Sequence, residues 1–162
     1  MIGNNSGISR ETDKYKRFYG QLEYYPSAKI QMSIGGDYAS FADGHSYNLN
    51  GFLGTHLNRI RIGAEGFFTP RTVDTASTED RKSGETIFIR ARTSPATEAI
   101  FRIDRINRTI SGNSSDETFW IAGYAFSPER NVQIIPNIVY QKDSLRPDPS
   151  VTGRLTLYVK FK

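Results

Sequence analysis

The sequence contains no cysteine among its 162 residues, which excludes disulfide bonds and metal sites built from thiolates. It also contains no apolar run of about 18 residues or more, so no transmembrane helix is predicted. Residues 1–7 are polar and do not resemble a signal peptide. The formal net charge is +4, but the cations form no block of like charge. We therefore expect neither a disordered basic tail nor a nucleic-acid partner.

The composition favours a sheet with one apolar face and one polar face. Only 37% of the residues are hydrophobic, whereas 12% are aromatic and 14 residues are glycine. This combination does not suit a helical bundle, and no long stretch has helical periodicity.

A period of two residues dominates the chain. Ile30, Met32 and Ile34 alternate with Gln31 and Ser33, as expected for a half-apolar β-strand. The last segment is similar, with one face formed by Leu155, Leu157, Val159 and Phe161 and the other by Arg154, Thr156, Tyr158 and Lys160. About nine strands are predicted, at roughly 17–25, 30–38, 46–56, 60–69, 86–94, 99–109, 118–127, 132–142 and 152–161. At about 9–11 residues each, they are long enough to cross a bilayer at a tilt.

The predicted connections alternate in length. The short ones lie at 26–28, 57–59, 95–98 and 128–131, and the long ones at 40–45, 70–85, 111–117 and 142–151. Short turns at one end and long loops at the other are typical of outer-membrane barrels. Aromatic residues collect near the strand ends, as two interfacial girdles would require, although aromatics favour any strand. They are Phe18, Tyr24, Tyr25, Tyr47, Phe67, Phe68, Trp120, Phe126, Tyr140 and Phe161.

Two parts of the sequence, 119–128 followed by 132–140, and 152–161, carry a resemblance to a known family. They resemble the closing strands of bacterial outer-membrane porin-like β-barrels, including those grouped with phosphate-selective porins. The resemblance implies an all-β, antiparallel, up-and-down transmembrane barrel in the cell outer membrane. It also implies that the final strand, which ends near Phe161, is read by the outer-membrane assembly machinery. Phosphate selectivity does not follow, because no specific anion-site motif matches.

The predicted topology leaves an odd number of strands. Single-chain bacterial barrels have even numbers, and an open edge is not tolerated in hydrocarbon. We therefore expect 1–16 to be a polar loop or disordered segment, and 17–162 to be the C-terminal strands of a larger barrel whose N-terminal strands are missing. The expected partners are outer-membrane lipid, small hydrophilic or anionic solutes and, in a homotrimer, two further copies of the chain.

The candidate site residues are cations on the polar faces of the strands. The pore-lining set is Arg61, Arg90, Arg92, Arg102, Arg154 and Lys160. A cluster of arginines on a pore wall favours anions. Arg90 and Arg92 are expected to meet Arg102 and Asp104 around the turn at 95–98, with Asp104 the only obvious acid. The alternative is a wall on which arginines and acids merely pair with one another.

The function predicted from these features is passive diffusion of small hydrophilic solutes, with a preference for anions. An enzyme is not expected, because His45 and His56 lie at opposite ends of one predicted strand. No cofactor is implied. Two alternatives stay open: a soluble, lipocalin-like ligand-binding barrel with its apolar residues inside, and a non-conducting structural or adhesive barrel.

Overall fold

A single antiparallel sheet contains every strand of the computed structural model. The structure describes residues 2–3, 16–42, 44–73, 79–146 and 148–160. The strands are β1 (Ile2–Gly3), β2 (Arg17–Ser27), β3 (Ile30–Phe41), β4 (Gly44–Leu57), β5 (Ile60–Val73), β6 (Glu79–Ser94), β7 (Thr97–Ile110), β8 (Asn113–Glu129), β9 (Val132–Asp143) and β10 (Ser150–Val159).

The strands follow one another in the sheet in chain order, and each pairs with the next in antiparallel fashion. This up-and-down order confirms the predicted fold class, with nine long strands where nine were predicted. The short strand β1 was not predicted, since 1–16 were expected to form a loop. Within the described ranges there is no helix, and hence none that could span a membrane.

The strands are longer than predicted at the end where the long loops were expected. β5 continues to Val73, β6 begins at Glu79, and β7 and β8 are joined by only Ser111 and Gly112. Both turn residues have positive φ, 49° and 83°, as a type I′ hairpin turn requires. The predicted long loops at 70–85 and 111–117 are therefore wrong in large part. Polar residues such as Ser, Thr and Arg continue the ladder there, because a strand in water needs no apolar face.

The aliphatic side chains lie on the exposed face of the sheet. Ile30, Met32 and Ile34 are 37%, 41% and 55% exposed, and Leu155 and Leu157 are 74% and 64% exposed. Cross-strand register places Met32 beside Leu53, and Leu53 beside Ala64, on this same face. None of these residues fills a closed interior, in contradiction to the soluble ligand-binding barrel.

The opposite, polar face is concave. Phe52 of β4 and Phe88 of β6 reach over β5 from both sides, and their ring centroids are 6.3 Å apart. A Cβ atom added at Gly63 of β5 would lie 2.4 Å from the Phe88 ring and 3.1 Å from the Phe52 ring. Side chains two strands apart converge in this way only on the inner side of a curved sheet. The predicted outward orientation is confirmed for Ile30, Met32, Ile34, Leu155 and Leu157, whereas the concave face carries aliphatic residues as well as polar ones, namely Ile100, Ile121 and Val139.

The outward aromatic residues of β3 and β8 lie at different levels of the cross-strand register. Register connects Trp120 of β8, through Ile103, Ile87, Ala64 and Leu53, to Met32 of β3. Yet the last outward aromatic of β3 is Tyr38, six residues farther along. If Tyr38 and Trp120 mark the same membrane interface, six residues along the strand (about 20 Å) and five strand spacings (about 24 Å) correspond to a tilt of roughly 40°. Membrane barrels have strand tilts of about 35–45°.

The sheet has two ends rather than a closed ladder. In the part of the chain that the structure describes, β10 pairs only with β9, and β2 pairs with β3 and with the two residues of β1. The prediction that these strands do not close on themselves is confirmed.

Candidate functional site

Glu98 is the centre of a cluster of arginines on the concave face. Its carboxylate lies 2.5 Å from Arg61 Nη2, 2.6 Å from Arg90 Nη2 and 4.0 Å from Arg92 Nε. The three arginines come from β5 and β6, and Glu98 is the second residue of β7. The register puts Arg61 beside Arg90, and Arg92 beside Glu98, so period-two alternation alone directs all four side chains inward.

The cluster carries more positive than negative charge. Three guanidinium groups share one carboxylate, which leaves a formal excess of two positive charges. The Glu98 side chain is 13% exposed, whereas those of Arg61 and Arg92 are 45% and 56% exposed. The Nε atom of Arg90 is buried and has no hydrogen-bond partner within the described residues, so Glu98 does not satisfy that guanidinium completely. The excess charge therefore faces the concave side.

Arg102 belongs to a second group, farther along the strands. Its Nε donates a hydrogen bond to Asp104 at 2.7 Å, and its Nη2 lies 3.9 Å from Glu65. Thr86 donates a hydrogen bond to the same Asp104 oxygen, also at 2.7 Å. With two acids around one arginine, this group does not add to the positive charge.

The predicted contacts of the arginines are therefore partly wrong. Arg90 and Arg92 do not meet Arg102 and Asp104; Arg90 pairs in register with Ile100, and Arg102 pairs with Phe88. The sequence reasoning missed Glu98 because it placed this residue in the turn at 95–98. The turn comprises only residues 95–96, and the shift brings Glu98 into the ladder.

Arg154 and Lys160 are separate from the Glu98 cluster. Arg154 of β10 lines a cavity of about 310 Å³ together with Arg102, Asp104 and Glu65. Lys160 follows the end of β10, and its backbone N–H donates to the Asn131 carbonyl at 2.8 Å. The predicted pore-lining set thus divides among one cationic cluster, one balanced group and one position at the rim.

An apolar floor lies beside the cationic cluster. The half-buried rings of Phe52 and Phe88 are inclined by only 15° and lie over Gly63. Together with Arg61 and Arg90 they line a cavity of about 360 Å³. Two of the predicted girdle aromatics are also inward: Phe67 covers Gly84, and Tyr25 lines this cavity. Aromatic periodicity alone cannot separate a girdle from a lumenal ring.

The two histidines are as distant as the sequence predicts, near the opposite ends of β4. His45 lies in the strand rather than in a loop, 6.0 Å from the Tyr38 ring. No group of three or more potential metal-ligating side chains occurs in the described ranges.

Comparison with known proteins gives the fold of the chain. No protein-family model and no curated protein matches the sequence. Among the solved structures that match its fold are two of an outer-membrane protein. In-vitro folded OmpT, an outer-membrane protein of Vibrio cholerae, has a TM-score of 0.65 at 10% identity, with 83% of this chain and 52% of that chain covered. OmpT expressed in the outer membrane of the same organism has a TM-score of 0.64 at 10% identity, with 82% and 52% covered.

This chain thus spans about half the length of the OmpT structures that it resembles. The resemblance to phosphate-selective porins is not among these matches. The predicted location agrees with both neighbours, which are outer-membrane proteins. The chain has the antiparallel, up-and-down sheet of an outer-membrane β-barrel.

Proposed function

We propose that this sheet forms part of the wall of an outer-membrane channel through which small hydrophilic solutes diffuse, with a preference for anions. The observation that carries the proposal is the concave Glu98 cluster, in which one carboxylate faces three guanidinium groups. A wall that combines low dielectric with excess positive charge raises the local concentration of anions.

The outer face supports the membrane part of the proposal. Large apolar side chains such as Leu53, Ile87 and Leu155 are more than half exposed on the convex side. Exposed apolar patches of this extent occur where a protein meets lipid or another protein. The outward aromatics Tyr38 and Trp120 agree with a bilayer as the surroundings, and placing both at one interface implies a strand tilt of roughly 40°, as in membrane barrels.

The concave face supports a water-filled interior. Polar groups such as Gln31, Asp37, Asn48 and Thr156 lie there, and several bond to one another. Barrels that enclose an aqueous channel have this kind of lining. The whole protein's channel activity is proposed on this basis, and phosphate selectivity is not part of the proposal.

Reversal potentials test the proposal. The full-length protein would be purified from membranes and inserted into planar bilayers under a tenfold KCl gradient. We expect stepwise conductance and a reversal potential on the chloride side. Replacing Arg61, Arg90 and Arg92 together by Gln should move the potential toward that of potassium, and the shift should shrink as salt rises.

Lys142→Gln is the matched control. Lys142 is exposed and pairs in register with Thr118 on the face that carries Trp120, so its replacement should leave the reversal potential unchanged. Folded protein without conductance would favour the structural or adhesive barrel and overturn the channel. Conductance whose selectivity does not respond to the triple variant would remove the anion preference.

A further inference from the structure

We propose that the cavity between the Phe52–Phe88 floor and the Arg61–Arg90 pair binds aromatic carboxylates. This inference rests on the proposed function and adds a class of solute that the channel wall binds. The cavity volume, about 360 Å³, lies at the lower end of the range for ligand pockets and suits a small molecule.

The floor of the cavity is apolar and flat. The Phe52 ring lies over Gly54, and both rings meet over Gly63, where any Cβ atom would come within 3.1 Å of ring carbons. Because these glycines have no Cβ atom, the rings can pack directly against the backbone of the sheet. Both phenylalanines stay half-buried next to the arginine cluster, and contact between water and this apolar surface is unfavourable. A planar apolar group would recover that cost by stacking on the rings.

The rim of the cavity is cationic. Arg61 and Arg90 share Glu98 but retain exposed side-chain surface of 45% and 32%. Lys29, from the turn that joins β2 to β3, also lines the cavity. Guanidinium groups bind carboxylates through paired N–H donors, so the rim favours a carboxylate over a neutral group.

The two surfaces select one ligand class because they adjoin each other. Chloride and acetate would use the rim alone, and a neutral aromatic molecule would use the floor alone. An aromatic carboxylate uses both, and the free energies of the two contacts add. The balanced Arg102 group offers no such combination, since Asp104 and Glu65 already surround its cation.

The test uses benzoate with the full-length protein in detergent micelles, and binding is measured by calorimetry. Acetate and benzyl alcohol each lack one half of the ligand. We expect benzoate to bind at least about tenfold more tightly than either of them, as two added contacts of roughly equal strength would give. Equal binding of benzoate and acetate would overturn the proposal, because attraction to the charge alone would then suffice.

Two variants separate the floor from the rim. Phe88→Leu should weaken benzoate binding about fivefold without a change in the reversal potential, since it removes ring stacking and no charge. Phe101→Leu makes the same chemical change on the outer face, where Phe101 contacts Trp120, and should have no effect on binding. Arg61→Gln with Arg90→Gln should weaken binding and also shift the reversal potential. Benzoate binding that survives Phe88→Leu at full strength contradicts the proposal.

The outcomes also separate this inference from the proposed function. Conductance through bilayers with no measurable benzoate binding would leave the channel and remove the aromatic site. Benzoate binding without conductance would leave the site and remove the channel. Heat-dependent migration on gels, compared among all variants, identifies any that fail to fold.

Discussion

Arg61 and Glu98 are bonded across an entire strand: Arg61 lies on β5, Glu98 on β7, and β6 runs between them. Side chains two strands apart are about 10 Å apart at the backbone. The long Arg61 side chain can therefore reach Glu98 because the surface curves inward. Arg90 of β6 contacts the same carboxylate. One acid thus organises cations from two strands.

Removing that acid should make the wall more selective for anions. With Glu98→Gln the three guanidinium groups lose their shared countercharge, so the excess positive charge rises by one. We expect the permeability ratio of chloride to potassium to increase by on the order of a factor of two. Reversal potentials measure this, with Glu129→Gln near the rim as the control. An unchanged or reduced ratio would mean that the cluster does not face the permeating ions.

The same substitution should destabilise the fold modestly. Glu98 accepts hydrogen bonds from Arg61 and Arg90, and charged hydrogen bonds contribute about 1–2 kcal/mol once solvent screening of exposed partners is considered. Urea titration of the protein in lipid vesicles measures the loss in the free energy of unfolding. Stability equal to that of the native chain would show that the pairing with arginine is energetically neutral.

Met32 and Gln31 are adjacent residues of β3 whose side chains lie on opposite faces of the sheet. Arginine substitutions at the two positions should differ in their effect on the free energy of unfolding. Met32→Arg places a cation on the outer face among Tyr24 and Leu53, which should cost about 2–4 kcal/mol if that face lies near the bilayer midplane. Gln31→Arg places it on the polar face at little cost. The free energies of unfolding in vesicles provide the comparison, and equal losses would contradict lipid contact on the outer side.

Gly63 should resist a side chain because two rings cover it. Gly63→Ala should cost about 1–3 kcal/mol through overpacking against Phe88 and Phe52. Adding Phe88→Leu should recover part of that loss, since the two positions share one contact. Gly20→Ala is the control, because a Cβ atom there has no neighbour within 4 Å in the described structure. Additive losses in the double variant would mean that the rings do not lie over Gly63.

The open edge of β10 should be visible in hydrogen exchange. Alternate amides of β10 bond to β9 and the rest point away from it, so the described chain alone should show slow and fast exchange at alternate residues. Strand β7, paired on both sides, should be protected at every residue along its centre. Uniform protection of β10 in this chain would contradict the open edge, whereas in a longer barrel it is expected because a further strand pairs there.

Alternation of residue types determined the fold class. Successive side chains of a strand project to opposite sides of the sheet. The alternation of Ile30, Met32 and Ile34 with Gln31 and Ser33 therefore specifies a strand with one apolar and one polar face. The long length of such segments and the short turns at one end gave the up-and-down barrel sheet. Where the polar pattern continued without aliphatic residues, at 79–85 and 113–117, the sequence favoured loops and the structure has strands.

The contacts within the candidate site depend on the register between strands and on the curvature of the sheet. A shift of two residues at the turn before Thr97 moved Glu98 from the loop into contact with Arg61, Arg90 and Arg92, and separated Arg90 from Arg102. The sequence specifies which face each arginine occupies, because that depends only on alternation along its own strand. Which residues stand opposite depends on where each hairpin turns, and which meet across a strand depends on how far the sheet bends. Both are properties of neighbouring strands packed together, and no single segment contains them.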